Sequence, residues 1–167
     1  MQLQTIRIPV RELGAVCVAA SPFGVVRVHL GDDMPRFLRD LKERRPDAEI
    51  GGAGPVVRAA ADAIRAYLAG GADPKVEVVL PEDGFQAKVW REIRRIPRGS
   101  TRTYGAIAKA VRRPGAPRAV GQACGANPVP LIVPCHRVVR TDGSIGGFSG
   151  DPRWKRYLLT LEGVELP

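Results

Sequence analysis

Asparagine occurs once in these 167 residues, at Asn127, and histidine twice, at His29 and His136. Three cysteines, Cys17, Cys124 and Cys135, form no CxxC pair and leave an odd thiol. That spacing argues against a disulfide framework and against a thiolate zinc site. No apolar run nears the length that spans a bilayer, and the N-terminus lacks the basic, apolar, small-residue order of a signal peptide. The chain therefore reads as soluble and cytoplasmic, with at least one free thiol. Gly51-Gly52-Ala53-Gly54 has no strand before it and no Lys-Ser/Thr after it, which argues against a phosphate-cradling loop.

Acidic residues are scarce in one half only. Residues 1–83 hold 11 Lys and Arg against 12 Asp and Glu, a net of −1, whereas residues 84–167 hold 15 against 5, a net of +10. The whole basic excess of +9 belongs to the second half, the footprint of a surface that meets phosphates. Arginine supplies 21 of the 26 positive charges, and its fork suits bidentate phosphate contact. A GC-rich genome would explain arginine over lysine but not the asymmetry.

The first half reads as a small α/β unit. "LQTIRIPV", "GAVCVAAS" and "GVVRVHL" alternate like antiparallel strands, with Cys17 between two valines as a core thiol. Helical spacing follows over 35–45 and 56–68, the second run stopping at Gly70-Gly71, and "KVEVVL" before Pro81 reads as one more strand. From Gly84 the pattern changes. Apolar residues at 85, 89, 90, 93 and 96 predict an amphipathic helix ending at Pro97. A short helix from about Tyr104 to Val111 is stopped by Arg112-Arg113-Pro114-Gly115. A second begins at Pro117 and takes Gly125 as its C′ residue. Two short helices across a tight turn, in a basic context, have the outline of a helix-turn-helix. A last helix starts at Asp151-Pro152, shows Trp154, Tyr157, Leu158 and Leu161 on one face, and ends before Gly163. Glu162 falls in its last turn, where the helix dipole disfavours a carboxylate by about 0.3–1 kcal/mol. Pointing inward, it needs a cationic or donating partner.

The chemistry concentrates in "PVPLIVPCHRVVR", Pro128 to Arg140, where a thiol, an imidazole and a guanidinium stand between two strand-like segments. A thiolate nucleophile needs a base or a positive environment, and His136 is adjacent. Neighbouring side chains on a strand project to opposite faces, so pairing Cys135 with His136 requires a turn at Pro134 or a relaying water. An inward His136 needs an orienting acceptor, and Glu162 is the inward-capable carboxylate nearest in the expected topology. A buried inert thiol beside an exposed histidine is the competing reading.

"NPVPLIVPCHRVV" from Asn127 to Val139 resembles the signature of the O6-alkylguanine-DNA alkyltransferases, also called methylated-DNA–protein-cysteine methyltransferases. "TYGAIA", "PRAVG", "GGFSG" and "LLTLEG" stand in the family's order. The resemblance is strong over about residues 84–165 and present in outline before them. It implies an α/β two-domain protein. A small N-terminal α/β, ribonuclease H-like structural domain would cover 1–80. A mainly helical, winged-helix-like domain with the helix-turn-helix would cover 84–167, binding DNA and taking the alkyl group. The implied function is irreversible, single-use repair: the helix pair enters the minor groove of double-stranded DNA and the alkylated guanine flips out of the stack.

By the same resemblance Cys135 accepts the alkyl group from O6-alkylguanine or O4-alkylthymine. His136 takes the thiol proton through a water, Glu162 holds the imidazole, and Asn127 braces the turn before the active site. Arg118 fills the gap left by the flipped base, Tyr104 contacts the base or its 3′ phosphate, and the Ser149 N–H binds guanine O6. Carbonyls of Cys135 and Val138 read the exocyclic amine. Phe148, Val138 and Pro130 offer a flat apolar wall, and Gly121 and Arg137 join the DNA- and substrate-facing set. A donor at O6 stabilises the charge that develops there. Phe148 stands where relatives often carry tyrosine, so the wall is kept without a hydroxyl. Some relatives hold zinc in the first half, where only Cys17 and His29 are available here; no metal and no cofactor is expected. Non-catalytic relatives replace the cysteine, often by tryptophan, and this chain keeps it. The expected protein is a monomer, nucleoid-associated if prokaryotic. A thiol hydrolase explains Cys135 and His136 but not the basic half. A lesion-binding module requires a protonated and inaccessible thiol.

Overall fold

The computed structural model describes residues 1–148 and 150–167. It divides into two compact units, Met1–Val79 and Leu80–Pro167.

In the first unit β1 (Gln2–Val10), β2 (Gly14–Ser21) and β3 (Gly24–Leu30) form an antiparallel meander. β4 (Glu49–Gly51) lies parallel to the outer edge of β1, giving the order β3-β2-β1-β4. β2 is central and buried from Ala15 to Ser21, as expected of a strand covered on both faces. Alternate side chains divide the work. Leu3, Cys17, Ala19 and Val26 pack with Phe37 and Leu41 of α1 (Met34–Arg44). The opposite face carries α2 (Pro55–Leu68), which crosses β1, β2 and β3 and buries Val57, Ala60, Ala61, Ile64 and Tyr67. The strand expected at "KVEVVL" is absent. Only Val78 bridges Val25, while Glu77 O accepts from Val25 N–H and Val79 N–H donates to Val25 O. The pattern of alternation is present there, but the backbone meets β3 at too few residues to form a ladder.

The second unit begins with α3 (Phe85–Arg94), whose buried Ala87, Val89, Trp90 and Ile93 meet α4 (Tyr104–Ala110) and α5 (Pro117–Gly125). The Trp90 indole N–H donates to Ala123 O at 2.8 Å, fixing α3 to α5. The Thr103 hydroxyl caps α4 by accepting from Ala106 N–H at 3.0 Å. Gly125 closes α5 as its last helical residue rather than as its C′, and Ala126 is the cap. A parallel pair, β5 (Arg102–Thr103) with β6 (Val138–Val139), joins the start of α4 to the chain that follows the PCHR motif. α6 (Pro152–Leu161) starts on the Asp151 carboxylate, which accepts from Arg153 N–H. Its buried face is Trp154, Lys155, Leu158 and Leu159; Tyr157 and Leu161 are only half-buried, so the face expected from spacing is rotated toward the lysine. No helix among the described residues is long and apolar enough to cross a membrane.

Candidate active site

The segment Leu131-Ile132-Val133 is not a strand. It forms part of a turn closed by Asn127, whose Oδ1 accepts from Val129 N–H at 3.0 Å and whose Nδ2 donates to Val133 O at 2.8 Å. Leu131 sits inside that turn at φ +75°, a conformation that costs a leucine free energy and persists because the turn over-determines it. The bracing makes the chain arrive at Cys135 in one direction.

Cys135, His136 and Arg137 then form a single 3-10 turn, opened by Arg137 N–H donating to Pro134 O. At three residues per turn successive side chains leave the axis about 120° apart, so neighbours need not oppose each other as on a strand. All three are buried. His136 Nε2 lies 2.8 Å from Glu162 Oε1. A neutral imidazole that donates through Nε2 presents Nδ1 as acceptor on its other side.

Glu162 caps the C-terminal end of α6 with its side chain 0% exposed, where the helix dipole opposes its charge. The partner that compensates is Arg137. Its Nε reaches both carboxylate oxygens, at 3.2 and 3.0 Å, and its terminal Nη2 reaches Oε1 at 2.7 Å. Nη1 donates to Ile96 O at 2.7 Å. Arg137 was expected on the DNA-facing side, but its side chain is 2% exposed and its donors are spent inside. It neutralises Glu162 instead of meeting phosphate.

A lysine that the sequence reading passed over completes the site. Lys155 is buried, and its ammonium donates to Val138 O at 2.7 Å, to Gly147 O at 3.2 Å and to the Tyr104 hydroxyl at 3.4 Å. It also lies 5.7 Å from the centre of the Tyr104 ring. The signal was its position: 154, 155, 158 and 159 share one helical face, and a lysine among them has to be buried or break the pattern. Tyr104 is packed on both sides by glycines. A Cβ at Gly121 would stand 3.9 Å from its ring, and one at Gly146, where φ is +73°, would stand 3.0 Å from its hydroxyl.

Burial sets the ionisation states. It pushes the Cys135 thiol above its ordinary value, opposed by a hydrogen bond from Asn127 and by the charge of Lys155. Burial lowers His136 against the pull of Glu162, leaving a neutral imidazole able to accept a proton. Burial likewise brings Lys155 down to about 8 and pushes the Tyr104 phenol up to about 12. Cys124, on α5, is pushed up to about 12 by burial and then by Cys135 nearby. The cluster thus pairs a protonated thiol with a neutral imidazole and a titratable ammonium.

Among the other expected residues, Val138 is buried in β6, Phe148 and Pro130 are half-buried, and Arg118 is exposed near the start of α5. Ser149 lies outside the described residues. No three His, Cys, Asp or Glu side chains among the described residues converge as metal ligands would.

The family model described as the 6-O-methylguanine DNA methyltransferase DNA binding domain matches residues 84–164. A methylated-DNA–protein-cysteine methyltransferase of Methanosarcina acetivorans is 36% identical over 149 residues, 86% of this chain and 94% of the relative. One from Mycobacterium tuberculosis H37Rv is 46% identical over 109 residues, 65% of this chain; the match spans 66% of that relative's length. The crystal structure of Mycobacterium tuberculosis OGT in complex with DNA superposes with a TM-score of 0.78 at 34% identity, covering 97% of this chain and 92% of that one.

Proposed function

This chain belongs to the methylated-DNA–protein-cysteine methyltransferase family, and on that premise we propose that it repairs alkylated DNA by moving the alkyl group of O6-alkylguanine to Cys135. The observation that carries the reading is the buried set Cys135, His136 and Glu162, with the imidazole bonded to the carboxylate at 2.8 Å. The Cys135 sulfur attacks the alkyl carbon in line with its bond to O6. The sulfur–carbon bond forms as the carbon–oxygen bond breaks, and the electron pair remains on the guanine. A water carries the thiol proton to His136 Nδ1, and Glu162 steadies the imidazolium. Because the product is a thioether, each molecule acts once.

Asn127 holds the turn that aims Cys135. Tyr104, Val138 and Phe148 bound the flipped base, the Ser149 N–H meets O6, and Arg118 on α5 enters the space the base leaves. Gly121 lies on α5 beside the Tyr104 ring. Lys155, tied to Val138 O and Gly147 O, positions the carbonyl and the loop against which the base is read. O4-alkylthymine is a second substrate to be tried. The partner is double-stranded DNA, met through the minor groove by α4 and α5, and the protein works as a cytoplasmic monomer, nucleoid-associated if prokaryotic, without metal or cofactor.

We read the first unit, 1–80, as a ribonuclease H-like structural domain, supported by its antiparallel meander, one parallel edge strand and helices on both faces. The second, 84–167, is read as winged-helix-like, supported by α3, α4 and α5 with the short β5–β6 pair. The test is incubation with a duplex that carries O6-methylguanine. One guanine restored per protein molecule, with no turnover, is the expected result. Continued turnover, or binding without restoration, would sink the proposal.

A further inference from the structure

α3 carries cations that the repair chemistry leaves unused. Lys88, Arg91, Arg94 and Arg95 are all exposed. At about 100° per residue Lys88, Arg91 and Arg95 centre on a line roughly opposite the buried Val89, Trp90, Ile93 and Ile96. α4 and α5 pack against that buried side. The cationic stripe therefore faces away from the helix pair that takes the lesion-bearing duplex. One carboxylate lies within α3, Glu92, and it is shared by Arg95 at 2.8 Å and Arg102 at 3.3 Å. Glu82 and Asp83 precede the helix, and the Arg91 guanidinium touches only the backbone O of Glu82 at 3.2 Å. Lys88 to Arg95 spans about 10 Å of helix, close to three steps of a DNA strand at about 3.4 Å of axis each.

We propose that this stripe is a second polyanion site, which docks the phosphate backbone of another DNA segment while α4 and α5 hold the first. The proposal rests on the DNA-repair reading for the identity of the first segment. Three facts favour duplex DNA over an acidic protein. Lys88, Arg91 and Arg95 follow one helical line, two of the three are arginines suited to phosphate, and no exposed apolar side chain of α3 accompanies them to anchor a protein partner.

The test uses the full chain on an immobilised duplex just long enough to fill the primary site, offered a second, fluorescent duplex. Wild type captures the second duplex. The triple variant Lys88→Gln/Arg91→Gln/Arg95→Gln captures at least about tenfold less, and its log–log salt slope for capture is shallower by about 2 to 3. Arg91→Lys with Arg95→Lys keeps capture within a few-fold. Methyl transfer from a short O6-methylguanine duplex, measured on the same preparations, stays at the wild-type rate, so failed docking and failed repair are separate results. Should the triple variant fold poorly by circular dichroism, Arg91→Glu alone replaces it. No capture by wild type, or equal capture by wild type and variant, overturns the proposal. So does loss of transfer in step with capture by a folded variant, because the stripe would then belong to the lesion-bearing duplex.

Discussion

Cys17 and Cys135 are both buried thiols, yet they live in opposite surroundings. Cys17 lies in the central strand of the first unit among Leu3, Ala19, Val26, Phe37 and Leu41. Cys135 stands in a 3-10 turn beside His136 and Arg137, on a chain braced by the hydrogen bonds of Asn127 to Val129 N–H and Val133 O. The contrast extends to the units. Of the six buried polar or charged residues among the described ones, only Ser21 belongs to the first unit; Asn127, His136, Arg137, Lys155 and Glu162 belong to the second. Burying a polar group costs free energy, and several kcal/mol for a charge, unless partners compensate; the second unit carries five such groups, three of them charged, and each has partners there. The dry unit shows what this chain does when only packing matters.

The sharpest way to break the contrast is to exchange the roles of the thiols. Cys135→Ser abolishes alkyl transfer while binding to lesion-bearing DNA persists, read by guanine restoration and by gel shift. Cys17→Ser keeps transfer and loses about 1–3 kcal/mol of stability by urea unfolding, the cost of a hydroxyl in an apolar core. Comparable loss of transfer in both would dissolve the distinction.

Next comes charge. Glu162→Gln leaves the Arg137 guanidinium buried without its counter-charge, and stability falls by about 3–5 kcal/mol. The exposed Arg7–Asp32 pair is as short, at 2.6 Å, but Asp32→Asn leaves the unfolding midpoint nearly unchanged, since solvent screens it. In the fraction of Glu162→Gln that folds, methyl transfer slows more than DNA binding; equal losses would remove Glu162 from its place behind His136. A smaller effect follows at Asn127, where alanine removes two buried hydrogen bonds and lowers stability by about 2 kcal/mol. Transfer slows as the Leu131 turn loosens.

The smallest effect is with pH. His136 has its folded value below its unfolded value of about 6.5, so under that pH the unfolded chain binds a proton that the native chain refuses. Stability is intact above about pH 6.5 and declines below it, at up to about 1.4 kcal/mol per pH unit from this group. His136→Gln flattens that limb; an unaltered acid limb would show that the decline belongs to other groups.

What was legible in the sequence was whatever repeats with a period or carries a local stop signal. The α2 and α3 stripes, Pro117 and Asp151-Pro152 all declare their elements by side-chain chemistry close in the chain. The residues that misled do so because their partners are distant. "KVEVVL" alternates as a strand should, but strand pairing is decided by β3, which meets it only at Val78. Arg137 reads as a DNA contact until Glu162, 25 residues on, takes its fork. Lys155 reads as surface until its ammonium is seen against Val138 O and Gly147 O. The 3-10 turn at Cys135 was one of two geometries the motif demanded, and Asn127's bond to Val133 O helps to select it.

The central claim is that of three thiols one alone is the acceptor. Peptide mass analysis after incubation with an O6-methylguanine duplex decides it: a single methyl on the peptide that contains Cys135, with Cys17 and Cys124 unmodified, is the predicted result. An unmodified Cys135, or a methyl carried by either other cysteine, would contradict the account.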